Sequence, residues 1–274
     1  MLTGWNRLQA ALAAAVAASG VGVAATSAGG GGSAEPLAAG QILALVQRAP
    51  AALNSYPSVK MTLTFSIDAG GRHVGFTETG LISRDGQVGT IHMDLPNGLG
   101  AFDAVVSGRT IYAHVAASKL TLTGGRHWAS VTLTGAQTQP VTGSNALDYL
   151  RLLAGADGQV TTVGHKTIDG AATTHYRVDV DVAKAAAAAP PQFGTADQTL
   201  TAAGVRTLPV DLWLDSNGAP RQMKMSYHLD GGSFTMTIRF RGSTNPVTVT
   251  PPPVTDDYPV SDFPQLAQFI ANIP

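Results

Sequence analysis

The sequence predicts an α+β protein built on one curled antiparallel sheet of about ten strands, which cups a few helices and leaves a hydrophobic space between them. Apolar and polar residues alternate along most of the chain, as is typical of strands with one dry and one wet face. Turn signals rich in Gly, Asn and Asp separate these stretches at spacings too short for parallel crossovers. Only a few stretches show helical periodicity, so the helices must cover the dry face of the sheet.

The clearest alternation is "LPVDLWLDSNGAPRQMKMSYHL", residues 208–229. Leucines and valines alternate with Asp211 and Asp215 before the Ser-Asn-Gly turn, and methionines alternate with Lys224 after it. This pattern predicts a hairpin with one dry face. Similar alternation or turn-bounded apolar runs predict further strands at 59–67, 74–82, 88–95, 102–107, 110–115, 127–134, 158–168, 173–182 and 234–240.

Helical periods occur at a few places. Apolar residues spaced by three and four over 38–53 predict an amphipathic helix, which Pro50 should end or kink. A second helix is expected from an N-cap at Ser144 to Gly155. The alanine-rich segment after Asp181, "VAKAAAAA", predicts one or two helical turns before a loop. After the triple proline, which is expected to end the sheet, residues 266–273 predict a short amphipathic helix.

Composition and segment order restrict the class of protein. The 274 residues carry 17 basic and 18 acidic side chains without a basic stripe, so no nucleic-acid partner is expected. Cysteine is absent, which excludes disulfides, thiolate metal sites and cysteine nucleophiles. Residues 1–28 predict a signal peptide, with an N-terminal membrane anchor as the alternative. A Gly-rich linker (29–36), the main domain (37–253) and a Pro-rich C-terminal extension (254–274) follow.

No catalytic or cofactor-binding motif is present. Ser144 fits a helix cap better than a nucleophile, because no Gly-x-Ser-x-Gly elbow surrounds it. The acidic pairs are expected to be hydrated on outward strand faces or in a loop: Asp179/Asp181, Asp211/Asp215 and Asp256-Asp257. The protein is therefore not expected to be an enzyme or to need a cofactor.

Seven histidines are scattered along the predicted strands and turns: His73, His92, His114, His127, His165, His175 and His228. None belongs to a His-Glu-x-x-His motif or to a close set of histidines and carboxylates on a helix. We expect solvated strand histidines, with a metal site as the alternative.

The apolar strand faces are the candidate ligand site. Five of the six methionines lie on alternating strands, and methionine adapts readily to varied apolar ligands. Packing against the protein's own helices is the alternative, but the apolar strand surface exceeds the helical cover. The predicted cavity lining comprises Met61, Leu63, Phe65, Ile67, Met93, Val210, Leu212, Leu214, Met223, Met225, Tyr227, Phe234, Met236, Ile238 and Phe240.

Three stretches resemble the actinobacterial LppX/LprA/LprF/LprG lipoprotein family: "VTTVGHKTIDGAATTHYRVDVDVAKA", "LPVDLWLDSNGAPRQMKMSY" and "FTMTIRFRGSTNPVTVTPP". The resemblance covers roughly residues 37–253, and its motifs are structural signatures of hairpins. It implies a strongly curved antiparallel half-barrel with helices over its concave side, similar to the carriers LolA and LolB. Family members bind acylated envelope lipids between sheet and helices. One departure is that the family's lipidated cysteine is missing, so anchoring by acylation cannot be carried over.

The leading hypothesis is an exported, extracytoplasmic carrier that shields the acyl chains of a lipid or lipoglycan in a hydrophobic cavity and moves them across a periplasm-like space. Transient membrane contact is expected, with a membrane transporter or an envelope acceptor protein as a further partner. The alternative is an envelope sensor on the same scaffold, similar to RseB-type regulators, in which the cavity gates contact with a partner protein.

Overall fold

The computed structural model describes residues 39–69, 72–94, 101–115, 125–132, 150, 153, 156–188, 206–229 and 232–261. Within these ranges the helices are α1 (Ala39–Ala52) and α2 (Val182–Ala188). The strands are β1 (Ser58–Ala69), β2 (Arg72–Ser83), β3 (Val88–Asp94), β4 (Ala101–Ser107), β5 (Thr110–Val115), β6 (Trp128–Thr132), β7 (Ala156–Ile168), β8 (Ala171–Asp181), β9 (Thr207–Asp215), β10 (Pro220–Leu229), β11 (Gly232–Ser243) and β12 (Asp257–Val260).

Several predictions fall outside the described residues. These are the signal peptide (1–28), the linker (29–36), the Ser144 cap, the loop after α2, and the C-terminal helix over 266–273. Leu150 and Leu153 of the second predicted helix are described, and both are fully buried. Among the described residues, no helix combines the length and the apolar character that crossing a membrane requires.

The strands form one twelve-stranded sheet in the order β12-β6-β5-β4-β3-β2-β1-β11-β10-β9-β8-β7. The sheet is curved and unclosed, because β12 and β7 lie at opposite edges. All neighbouring strands are antiparallel except β12 and β6, which are parallel. The predicted curved antiparallel sheet is therefore confirmed, with twelve strands where about ten were expected.

The prediction that the triple proline ends the sheet is wrong. The chain turns once after Pro253 and then adds β12 beside β6. A four-residue edge strand tolerates Pro259, since an edge strand leaves one row of backbone groups outside the ladder. The Asp256-Asp257 pair is not merely solvated: Asp256 Oδ1 accepts a hydrogen bond from the backbone N–H of His127 at 2.9 Å, and Asp257 Oδ2 accepts one from Ser130 at 2.7 Å.

Helix α1 lies over the sheet through its buried residues Ile42, Val46 and Ala49. It contacts β7 and β10 and leads into a 3-10 turn at Leu53–Ser55. Pro50 does not end the helix, which runs to Ala52. A proline so close to the C-terminus removes only one backbone donor, and the Ala52 carbonyl accepts a hydrogen bond from Ser55 Oγ at 2.9 Å.

The predicted 208–229 hairpin is confirmed, and an aspartate organises its turn. Gly218 has a φ of 75°, a left-handed conformation that favours glycine. Asp215 Oδ1 accepts hydrogen bonds from the backbone N–H groups of Asn217 (2.9 Å) and Ala219 (3.0 Å). Its Oδ2 accepts from Arg221 Nε at 2.9 Å. Asp215 is thus a turn-forming residue that is already neutralised, unlike a free acid or base.

Candidate ligand-binding site

The sheet has two chemically different faces. The inner face, which carries Leu63, Ile238, Met223 and Leu212 in one cross-strand row, lies on the side of α1. The outer face carries the residues between them along each strand. Because side chains alternate along a strand, the register assigns every described strand residue to one face.

The inner face collects the predicted cavity residues of β1, β9, β10 and β11. A second row joins Phe65, Met236, Met225 and Val210. The members of these rows are all buried, at 7% exposure or less. The remaining predicted residues of these strands also lie on this face: Met61 pairs with Phe240, Ile67 pairs with Phe234, and Leu214 belongs to the same buried cluster. Tyr227 pairs with Phe234 through its backbone, and its side chain lies outside the described residues.

Burial is not uniform along the inner face. Met223, Ile238 and Leu212 are fully buried, whereas Phe65 and Phe234 near the other end retain 7% exposure. An aromatic cluster marks this second end, with the Phe65 ring 4.9 Å from Phe76 in a stacked arrangement and 5.0 Å from Phe234 edge-on. Val74 and Phe76, which pair with Ile67 and Phe65 at this end, are only half-buried, so this end of the inner face is the more accessible one.

The inner face continues across β2 to β6, where the sequence analysis named only Met93. Met93 is half-buried and pairs with Glu78 on β2 and Phe102 on β4. Beside it runs a row of mostly small residues: Gly80, Ile91, Ala104, Ala113 and Ala129. Ile91, Ala104, Ala113 and Ala129 are all buried, at 6% exposure or less, so this half of the inner face is apolar and shielded from solvent as well.

Glu78 is a buried charged residue on the inner face that the sequence analysis missed. It is 4% exposed and stands across from Leu63 and Met93. The signal was available, since Glu78 occupies the same phase as the apolar Val74, Phe76 and Ile82 of its strand. A carboxyl group among apolar side chains is costly to bury and can give such a surface a polar anchor point.

The outer face is not uniformly hydrated, contrary to the expectation of a simple wet face. Trp213 and Gln222 are cross-strand neighbours there, and both are buried. The Trp213 ring stacks on His175 with centroids 4.1 Å apart and an interplanar angle of 10°. His175 Nε2 lies 2.9 Å from Asp211 Oδ1, and Arg177 binds the same carboxylate at 2.9 Å.

The histidines weighed as solvated or metal-binding residues are mostly paired with aspartates. Within the part of the chain that the structure describes, no group of three His, Asp or Glu side chains is placed to hold a metal ion. The shortest of these pairs are His73–Asp68 (2.8 Å), His92–Asp103 (2.7 Å), His127–Asp256 (2.7 Å) and His175–Asp211 (2.9 Å), and His92–Asp94 (3.5 Å) and His114–Asp103 (3.8 Å) are longer.

A curved, unclosed sheet of twelve strands with helix α1 packed against its apolar inner face defines the class of fold. No family model matches the chain. LppX, a lipoprotein of Mycobacterium tuberculosis, has a similar structure, with a TM-score of 0.50 and 14% identity, covering 77% of this chain and 99% of LppX. LprF of Mycobacterium bovis gives a TM-score of 0.48 and 16% identity, covering 78% of this chain and 97% of LprF. The predicted resemblance to the LppX/LprF lipoproteins is thus confirmed at the level of the fold.

Among curated sequences, an uncharacterized 31.2 kDa protein of Streptomyces griseus is 28% identical over 162 residues. The match covers 53% of this chain and 52% of that protein, so the chain spans about half the length of the curated relative.

Proposed function

We propose that this protein binds the acyl chains of a lipid or lipoglycan against the inner face and carries them through an extracytoplasmic space. The observation that carries the proposal is the apolar cover of both halves of the inner face: one buried cluster joins α1 to β1 and β7–β11, and a second lies on β4–β6. The likeness of the fold to LppX supports it. The ligand would occupy a cavity between the sheet and the helices.

The energetics favour a carrier that uses apolar surface alone. Each CH₂ group of a lipid tail gains about 0.8 kcal/mol on leaving water, so a chain of roughly sixteen carbons gains on the order of 12 kcal/mol before binding costs. The inner-face methionines and phenylalanines can supply this without directional chemistry. The aromatic end of the inner face, around Phe65, is the entry side in this proposal, because its side chains are the more exposed ones.

Export and the absence of catalysis belong to the same proposal. The apolar residues 8–25 serve as a signal, and the mature protein is then a diffusible carrier, since no cysteine can receive an acyl anchor. The two β9 aspartates considered as an acid and a base, Asp211 and Asp215, each form an ion pair with an arginine. This pairing supports a binding protein over an enzyme.

The test is native mass spectrometry of the full chain purified without detergent, followed by organic extraction. Co-purified lipid, or binding of an added fluorescent fatty acid, is the expected result. A protein that contains no lipid and binds no fatty acid refutes the proposal. Transfer of a labelled phospholipid between donor and acceptor vesicles distinguishes the carrier from the sensor alternative, because a sensor binds lipid without accelerating transfer.

A further inference from the structure

A groove of about 480 Å³ opens on the outer face, away from the inner face and its proposed ligand. Its position follows from the register, since Thr79, His92 and Asp103 are cross-strand neighbours on the outer face. The residues that shape it are Lys60, Leu81, His92, Asp103, Val105 and Trp128. They come from β1, β2, β3, β4 and β6, so the groove runs across the strands.

The groove crosses several strands, which sets the size of a ligand. The groove reaches from Lys60 on β1 to Trp128 on β6, and five strand spacings of about 4.8 Å give it a length of roughly 24 Å. This length exceeds a single sugar-sized ring. A volume of about 480 Å³ also lies within the range of small-molecule sites, roughly 300–1,000 Å³.

Apolar and polar groups alternate along the groove. Leu81 and Val105 are half-buried at outer-face positions, between threonines such as Thr90. Trp128 is half-buried and packs beside His114, with ring centroids 5.1 Å apart. Indole faces and aliphatic patches accept the C–H faces of sugar rings, while neighbouring hydroxyl and carboxylate groups bond to sugar hydroxyls.

Asp103 is held in place as an acceptor. Its Oδ1 lies 2.7 Å from His92 Nδ1, and its Oδ2 lies 3.8 Å from His114 Nδ1. The hydrogen bond with Asp103 raises the pKa of His92 above its ordinary value. Oδ2 accepts no hydrogen bond from the described residues, and the Asp103 side chain is 38% exposed. The carboxylate is therefore oriented by one histidine and still open to a ligand hydroxyl.

The end of the groove at β1 is cationic. Lys60 stands directly across from Arg241 of β11 on the outer face. Neither cation has an ion-pair partner among the residues that the structure describes. Like charges directly opposite on neighbouring strands destabilise a sheet unless an anion lies between them. This end of the groove is suited to a negatively charged group.

We propose that the outer groove binds a short acidic saccharide, with its anionic group at Lys60, a hydroxyl at Asp103 and a sugar ring against Trp128. The saccharide is either free or the headgroup of a membrane glycolipid. The proposal does not depend on lipid binding to the inner face, since the two surfaces lie on opposite sides of the sheet.

The test uses the full chain, with the indole ¹H–¹⁵N signal of Trp128 observed by NMR and affinity measured by calorimetry. Tetragalacturonate and cellotetraose 1-phosphate are expected to shift the Trp128 signal, with neutral cellotetraose at least tenfold weaker and inorganic phosphate giving no shift. Lys60→Ala and Asp103→Asn should each weaken binding of cellotetraose 1-phosphate at least tenfold. Lys224→Ala, an outer-face lysine of β10 outside the groove, should leave it unchanged.

Three results overturn the proposal: no Trp128 shift with either acidic saccharide, equal affinity for neutral cellotetraose, or equal loss in the Lys224→Ala control. Circular dichroism of each variant verifies that the sheet is folded. Flotation with vesicles that contain glucuronosyl diacylglycerol, an acidic glycolipid, tests the membrane source. Flotation with these vesicles that Lys60→Ala abolishes indicates a lipid headgroup as the ligand. Binding of the soluble saccharides without flotation indicates a free ligand. Retained fatty-acid binding in Lys60→Ala keeps this outcome separate from that of the proposed lipid carriage.

Discussion

Met225 and its neighbour Lys224 provide the sharpest test of the two faces. Met225 is 4% exposed, and its cross-strand partners Met236 and Val210 are buried too, so Met225→Glu places a carboxyl group where the described residues offer it no polar partner. Neutralising this carboxyl at pH 7 requires raising its pKa from about 4.3, which costs about 3.7 kcal/mol at about 1.36 kcal/mol per unit. Losing the buried methionine adds about 1.5–3 kcal/mol.

The expected destabilisation of Met225→Glu is therefore on the order of 5 kcal/mol, a large part of the roughly 5–15 kcal/mol that stabilises a typical domain. Urea unfolding followed by circular dichroism measures it. The folded-state pKa of the new carboxyl is raised, so the variant regains stability relative to the unsubstituted protein as pH falls from 7 to 5, by up to about 2.7 kcal/mol. Met225→Leu controls for the loss of methionine and should cost less than about 1.5 kcal/mol.

Lys224→Gln is the matched outer-face control. Lys224 pairs with Asp211 across β9, so a neutral residue there avoids a new like-charge pair and should change stability by less than about 1 kcal/mol. Lipid binding is expected to fall with Met225→Glu and to persist with Lys224→Gln. Equal losses from both substitutions, or a Met225→Glu penalty independent of pH, would mean that the two faces have been assigned wrongly.

Three further changes test the supports of the sheet. Gly242→Ala brings a Cβ into the Tyr56 ring, so we expect the free energy of unfolding, measured in urea or by heating, to fall by about 1–3 kcal/mol. Adding Tyr56→Ala should relieve this loss, and an unchanged Tm in Gly242→Ala contradicts the packing. Asp215→Ala removes three hydrogen bonds at the 208–229 turn, so the free energy of unfolding should fall by about 2–4 kcal/mol. Asp215→Asn should lose less stability, and an unchanged free energy of unfolding in Asp215→Ala rules out the turn as a support of the sheet. The hydrogen bond with His127 lowers the pKa of Asp256. This contact therefore stabilises β12 fully at pH values above the ordinary carboxyl pKa, and the stabilisation is lost as pH falls through the lowered pKa. Asp256→Asn should cause the same loss of hydrogen-exchange protection in β12 at pH 7, and protected β12 amides in that variant would refute the assignment.

The sequence determined much of the secondary structure because alternation is a local property. Residues 208–229 specified both strands of the hairpin and its turn, since period-two patterning and Ser-Asn-Gly act within a few residues. The same patterning placed Met223, Met225, Ile238 and their partners on one face, and the structure buries them together. Whether they contact a ligand stays a prediction, because burial alone does not distinguish a core from a lined cavity.

Only the tertiary structure decided which strands are neighbours and what meets across them. The pairing of β1 with β11 joins residues more than 160 positions apart, and no local pattern records such a partner. The pairing of β12 with β6 depends on the hydrogen bonds of Asp256 with His127 and of Asp257 with Ser130. These contacts are not visible in the local sequence, where the triple proline predicted the end of the sheet. The outer groove has the same origin: Lys60, Asp103 and Trp128 are distant in sequence, and the register of six adjacent strands brings them to one surface.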